Sequence, residues 1–158
     1  MSEEREDDAL TAAINEGQAR AARGDRVGAA AVFAAAWERA EEAGDSYASC
    51  VAAHFAAHLQ DTPEAQLAWH GRALRAADAA APERMASFYP SLHANLAEVY
   101  ARLGDAAQAR AHLAAAERAA PVLPDDGYGA SVRLLIDRVA AALAAESPTR
   151  EPPDGPAG

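Results

Sequence analysis

The clearest pattern of apolar and polar positions lies around Asn95 to Pro121 and predicts two short helices joined by a tight turn. One helical face follows the i, i+4, i+7, i+11 spacing and consists of Leu92, Leu96, Val99 and Leu103. Gly104 then tolerates positive φ, and Asp105 can cap the N–H groups of the next helix. The inner face of that second helix consists of Ala106, Ala109, Leu113 and Ala116. Pro121 ends the unit because it cannot continue a helix.

Weaker copies of the same pattern precede it. Gly24-Asp25 and Gly44-Asp45 repeat the stop-and-cap signal, while Thr62 can cap a helix that starts with Pro63. The predicted helices span about 8–23, 26–43, 46–60, 63–80 and 106–120, with a fifth helix that ends at Leu103. Neither helix of a pair can hide its apolar face alone, so we expect helical hairpins that stack side by side.

The two ends of the chain differ from this pattern. A clean apolar stripe predicts a seventh helix over about 128–146, and it consists of Val132, Leu135, Ile136, Val139 and Leu143. This helix suits a cap that covers the last repeat. Residues 1–7 are acidic and residues 147–158 are rich in Pro and Gly, so both segments are expected to be disordered.

The residues of the clearest unit resemble a known family. The spacing resembles a tetratricopeptide repeat at Leu96, Ala97, Tyr100, Gly104, Asp105, Ala109, Leu113, Ala116 and Pro121. The chain departs from the family at His93, where many repeats carry Trp. The resemblance implies an all-α fold: a right-handed α-solenoid of three antiparallel helix pairs plus the C-terminal capping helix. The repeats would span about 8–44, 45–81 and 82–121 within a domain of residues 8–146.

The third repeat is longer than the family's usual ~34 residues, and the excess lies around Ala79 to Pro90. Either the fifth helix begins early, near Glu83, and bends at Pro90, or a loop precedes it. We favour the bent helix because it resembles the longer repeats of kinesin-light-chain type.

In this family the first helices of the repeats line a concave groove that receives a ligand. Transferring those positions to this chain places two imidazoles beside a Glu/Arg pair. The predicted partner-binding groove consists of Gln18, Tyr47, His54, His58, Ser91, Glu98 and Arg102. Such side chains can hydrogen-bond an extended peptide, so the resemblance implies a non-enzymatic binding module or adaptor for a peptide or partner protein.

The sequence also contains residues suited to two other chemistries, metal binding and nucleophilic catalysis. His54 and His58 stand at i, i+4 on one helix face, a spacing that can ligate one metal ion. No Glu adjoins the first histidine and no third ligand follows at diagnostic spacing, so no metal site or cofactor is predicted. The pair remains the basis of an alternative function, a regulatory protein that binds a metal or small ligand. Cys50 could act as a nucleophile, but no oxyanion-hole loop accompanies it, so we expect an inert thiol and no enzyme.

The net charge of the chain restricts the classes of partner that we expect it to bind. The formal net charge of −10 argues against nucleic acid and anionic membranes, because phosphate binding needs a basic surface. No apolar run approaches the ~20 residues of a membrane span, and the acidic start is unlike a secretory signal. A single cysteine fits a reducing compartment. The expectation is therefore a cytoplasmic protein, monomer or homodimer, with an unidentified protein or peptide partner.

Overall fold

The computed structural model describes the backbone of residues 2–146 and the side chains of residues 4–146. This part of the chain is helical and contains no strand, which confirms the all-α prediction. In chain order the helices are α1 (Ser2–Ala22), α2 (Arg26–Ala43), α3 (Ser46–Ala57), α4 (Pro63–Ala79), α5 (Pro82–Met85), α6 (Tyr89–Arg102), α7 (Ala106–Ala119) and α8 (Gly127–Ala145). One 3₁₀ turn, Ala120–Val122, follows α7.

Three of the interhelical turns are built from the same Gly-Asp pair, as the sequence predicts. Gly24, Gly44 and Gly104 have φ of 84°, 71° and 80°, in the left-handed region that favours glycine. The aspartate that follows each glycine caps the next helix. In the last of these turns, Asp105 accepts a hydrogen bond of 3.1 Å from the N–H of Gln108. Thr62 caps α4 in the same way, through a 3.2 Å bond from the N–H of Ala65.

The first helix begins earlier than predicted. Residues 1–7 were expected to be disordered, yet α1 starts at Ser2. The acidic residues of this segment explain the difference, since Glu4, Glu6 and Asp7 lie near the N-terminus of the helix, where the helix dipole favours negative charge. The predicted disordered tail, residues 147–158, lies outside the described residues.

The fifth predicted helix is two helices. A single bent helix from Glu83 was expected, but α5 ends at Met85 and α6 begins at Tyr89. Pro90 accounts for the break, because proline has no N–H to donate to Ala86 and its ring crowds that carbonyl. Three turn residues therefore separate the helices, and the N–H of Phe88 bonds to the carbonyl of Met85 at 2.9 Å.

Each long helix packs on the next one along the chain: α1 on α2, α2 on α3, α3 on α4, α4 on α6, α6 on α7 and α7 on α8. Further contacts join α1 to α3 and α6 to α8. The shared surfaces are rich in alanine. Ala52, Ala53 and Ala56 of α3 are fully buried, as is Ala73 of α4. Such small side chains let neighbouring helix backbones approach closely.

Larger side chains fill the gaps that the alanines leave. Phe33 of α2 stacks on Phe55 of α3 with ring centroids 5.0 Å apart. Its ring also lies against Gly17 of α1, where an added Cβ would come within 2.4 Å. Trp37 of α2 meets the edge of Trp69 of α4 at 5.5 Å. These contacts tie the first four helices together.

The predicted C-terminal helix is confirmed. Four of the five residues of its stripe are buried, Val132, Ile136, Val139 and Leu143, while Leu135 is half-buried. The helix packs on α6 and α7. Asp126 caps its first turn by accepting from the N–H of Gly129 at 2.9 Å. None of the described helices is both long enough and apolar enough to cross a membrane.

The turn glycines can be tested with a matched pair. Gly104→Ala should lower the free energy of unfolding by about 1–2 kcal/mol, because a left-handed residue with a Cβ is strained. Gly127→Ala, at an ordinary backbone conformation and also with open space around the new methyl, should be neutral or mildly stabilising. Urea denaturation of both variants provides the measurement. Equal effects of the two substitutions would contradict the role assigned to the turn.

Candidate functional site

The predicted groove residues separate into distinct neighbourhoods. His54 and His58 lie at the end of α3, and Glu98 and Arg102 lie in the second half of α6. Tyr47 and Ser91 lie at the opposite ends of these two helices, near their starts, and Gln18 is exposed on α1. The structure therefore brings together four of the predicted residues and leaves Gln18, Tyr47 and Ser91 apart from them.

A third imidazole joins the predicted pair. His70 projects from α4 into the space beside His54 and His58. The ring centroids are 4.7 Å apart for His54–His58, 5.3 Å for His58–His70 and 6.1 Å for His54–His70. We call these three residues the histidine triad. Sequence reasoning missed His70, although its spacing from Ala73 and Ala77 places it on the buried stripe of α4.

The triad is buried at His70 and open to solvent at His58. His70 is 3% exposed, His54 is partly buried, and His58 is exposed at the C-cap of α3. The Nδ1 atoms of His54 and His70 are buried and have no hydrogen-bond partner among the described residues. Buried polar atoms without partners are uncommon in native proteins and call for an explanation.

Burial keeps these imidazoles neutral. It lowers the pKa of His54 to about 4, with a smaller contribution from His58. It lowers the pKa of His70 to about 3, with His58, His54 and Arg102 adding to the effect. The C-terminus of α3 would favour a protonated His54, but desolvation outweighs it. The pKa of His58 is also lowered, because its ring is partly desolvated although the residue is exposed to solvent, and the negative charge of Glu98 partly opposes that shift.

Charged side chains of α6 border the triad. Glu98 accepts a hydrogen bond from Arg138 of α8 at 3.3 Å, in an ion pair that is partly solvated. Arg102 donates a hydrogen bond to the side-chain oxygen of Gln66 on α4. The electrostatic effects of Glu98 on His58 and of Arg102 on His70 place these groups close to the triad. The result is an exposed polar surface formed by His58, Glu98 and Arg102, which we call the polar face.

Two of the three remaining predicted groove residues, Tyr47 and Ser91, have structural contacts. Tyr47 meets the edge of Phe88 at a centroid distance of 5.9 Å, and the guanidinium of Arg84 lies 4.1 Å above its ring. Ser91 is buried, and its carbonyl accepts a hydrogen bond of 2.8 Å from Asn95. These contacts leave little of Ser91 for a ligand, while Tyr47 keeps a partly exposed surface.

The other two histidines form a second pair that the sequence analysis did not anticipate. His93 of α6 and His112 of α7 meet through their Nδ1 atoms at 3.0 Å, so that one donates and the other accepts. Tyr89 stacks on His93 and Tyr100 stacks on His112. Burial lowers the pKa of both imidazoles. His112 lies three residues after Ala109 and four residues before Ala116, the buried residues of α7, and this spacing was the available signal.

The thiol of Cys50 is sealed in the core. The residue is fully buried among Ala53, Ala73 and Leu92, and burial raises its pKa to about 12. A nucleophilic cysteine needs a lowered pKa and access to solvent. Neither condition holds for Cys50.

Other recesses are less informative. A surface cavity of about 310 Å³ lies between α1, α2 and α3, where Arg5, Glu6 and Arg39 border a lining of alanine and Leu10. We place the candidate site at the triad and the polar face instead, because two buried imidazole nitrogens without partners among the described residues lie there next to exposed polar groups. Among the side chains of residues 4–146, no group of three or more His, Cys, Asp or Glu is arranged to hold a metal ion.

Comparison of this chain with protein-family models, with curated proteins and with solved structures found no match. The functional assignment therefore depends on the chemistry of the residues described above.

The free energy of unfolding should decrease at acid pH because the triad contains buried, neutral histidines. Below about pH 6.5 the unfolded chain binds protons at His54 and His70 that the folded chain rejects, so the free energy of unfolding decreases until the pH reaches about 3–4. His70→Gln should reduce the loss between pH 7 and pH 5 by about 2 kcal/mol. Urea denaturation at both pH values, with a chelator present, measures this difference. An identical pH dependence of variant and wild type would show that His70 is not buried in neutral form.

Cys50 should be protected from thiol reagents. At pH 8, labelling of the folded protein should be slower than labelling in denaturant by on the order of 100-fold or more, since the thiol is buried and protonated. Because this is the chain's single cysteine, the label reports on one site. Equal rates in the two conditions would place Cys50 at the surface and reopen the enzymatic hypothesis.

Proposed function

We propose that this protein is a non-enzymatic binding module of tetratricopeptide type that docks a peptide or partner protein on its polar face. The observation that carries the proposal is the polar face itself, where His58 of α3 and Glu98 and Arg102 of α6 present exposed or half-exposed side chains beside the histidine triad. These helices correspond to the first helices of the second and third predicted repeats.

The helix contacts support a stacked arrangement. Pairs α1–α2, α3–α4 and α6–α7 each pack together, each pair packs on the next, and α8 packs on the last pair. Additional contacts between α1 and α3 and between α6 and α8 are two of the three contacts that a row of first helices would make. This order is expected of a short solenoid, in which every hairpin contacts only its neighbours. It supports a solenoid of three pairs with α8 as the cap, and we propose that its superhelix is right-handed, as the tetratricopeptide resemblance implies.

The chemistry of the polar face suits a peptide. A neutral imidazole both donates and accepts hydrogen bonds, a carboxylate accepts, and a guanidinium donates. The backbone of an extended peptide exposes N–H and C=O groups that need both kinds of partner. Arg102 already bonds Gln66 with one edge, which orients its planar group before a ligand arrives. Orientation before binding reduces the entropic cost of association.

The proposal can be tested with peptides selected from a random library against the intact chain. Affinities of the best peptides would be measured by fluorescence anisotropy for wild type, Arg102→Ala and His58→Ala. We expect Arg102→Ala to raise Kd by about tenfold, because a hydrogen bond to a charged group is worth about 1.5–3 kcal/mol. His58→Ala should weaken binding by a smaller factor.

Arg75→Ala is the matched control, since it removes the same charge from an exposed position on α4 outside the polar face. Its Kd should stay within about twofold of wild type. Affinity that is unchanged in both polar-face variants, or reduced as much in the control, would contradict docking at this surface.

A further inference from the structure

We propose that the histidine triad is a binding site for one divalent transition-metal ion. The three rings come from two helices: His54 and His58 from the last turn and cap of α3, and His70 from the middle of α4. Imidazole nitrogen is a preferred ligand of Zn²⁺, Ni²⁺ and Cu²⁺. This inference does not depend on the proposed peptide-binding function.

The size of the triad fits an ion. A point equidistant from three ring centroids that are 4.7, 5.3 and 6.1 Å apart lies about 3.2 Å from each of them. An ion bound about 2.0–2.1 Å from an imidazole nitrogen lies at about the same distance, ~3.2 Å, from the centre of that ring. The spacing of the three rings is therefore compatible with one shared ion.

The buried nitrogens provide a second, independent indication. His70 is 3% exposed and the Nδ1 atoms of His54 and His70 have no hydrogen-bond partner among the described residues. An unpartnered buried nitrogen loses its hydration without compensation, which makes a bound ion or water the common explanation. A histidine that ligates a metal ion must have a neutral imidazole, and burial keeps His54 and His70 in that state.

The ring nitrogens do not yet converge, since no three ligand side chains are arranged to hold a metal ion as they stand. Rotation about χ2 can bring them together. This torsion is soft in histidine, and its axis runs from Cβ through Cγ toward the ring centre, so rotation redirects the nitrogens while the centroids hardly move. The spacing of the rings is thus set by the helices, and only the direction of the nitrogens has to change on binding.

The surroundings allow entry and set the coordination. His58 is exposed, so an ion can reach the triad from solvent. Glu98, whose charge acts on His58, favours a cation nearby, whereas Arg102, whose charge acts on His70, opposes it. Three protein ligands and one solvent position correspond to an open tetrahedral site rather than a closed structural one. Binding would cross-link α3 to α4 and so stabilise the folded chain.

The test is calorimetric titration of Zn²⁺ into tag-free, chelator-stripped protein. We expect one ion per chain, and a melting temperature that rises on the order of 5–10 °C at a hundredfold excess over Kd. His70→Gln should weaken binding by about tenfold or more. His58→Gln should do the same, and because His58 is exposed this variant keeps its fold and decides the matter if His70→Gln does not fold.

His93→Gln is the matched control, because it removes an imidazole from the second histidine pair and should leave zinc binding unchanged. Circular dichroism would confirm the fold of each variant. The proposal is overturned if wild type shows no saturable binding, if His58→Gln binds like wild type, or if binding is lost in His93→Gln. Loss in that control would assign the ion to the His93–His112 pair.

Discussion

Close approach between alanine-faced helices is the constraint on which the structure depends. Where Ala52, Ala53 and Ala56 of α3 are fully buried, no long side chain keeps the neighbouring helices apart. Most of the apolar side chains that each helix buries are therefore small, and each contributes little to stability. The stability of the fold must come from many such contacts along whole helix pairs. The few large residues, such as Phe33 against Gly17, fill the remaining gaps.

The same closeness creates the histidine triad. A histidine on α4 can meet two histidines on α3 because little volume separates the helices, and the price is desolvation of polar rings. His54 and His70 are consequently held neutral well below neutral pH. The free edge of this cluster, at His58, adjoins the charged residues of α6. Packing thus places buried imidazoles and an exposed polar face side by side, and both functional proposals arise from that juxtaposition.

Much of the fold is predictable from the sequence because its signals are local. The Gly-Asp pairs at 24–25, 44–45 and 104–105 determine where three helices end and three begin, and they act through one residue's φ and one capping bond. The start of α1 differs from the prediction because the acidic side chains that suggest disorder also stabilise a helix N-terminus. The break before α6 differs because Pro90 ends the helical hydrogen bonding instead of bending one continuous helix.

The candidate site is less predictable because it depends on contacts between helices. The i, i+4 spacing indicated His54 and His58. The position of His70 depends instead on the rotation of α4 about its axis against α3, and a polar residue on an apolar stripe does not determine that rotation. Tyr47 and Ser91 were assigned to the groove by family position, and the packing of Phe88 and the hydrogen bond from Asn95 give them other contacts. A family resemblance predicts where a residue lies along its helix, but it does not predict which side chains of the neighbouring helix contact that residue.

The most direct test of tight helix packing around the triad is the titration of each histidine ring, followed by heteronuclear NMR in metal-free protein. The account predicts midpoints of about 4 for His54 and about 3 for His70, as long as the chain stays folded. Midpoints near 6.5 for both rings in the folded protein would mean that water reaches them. That result would contradict the close packing of α3 and α4 from which the site has been built.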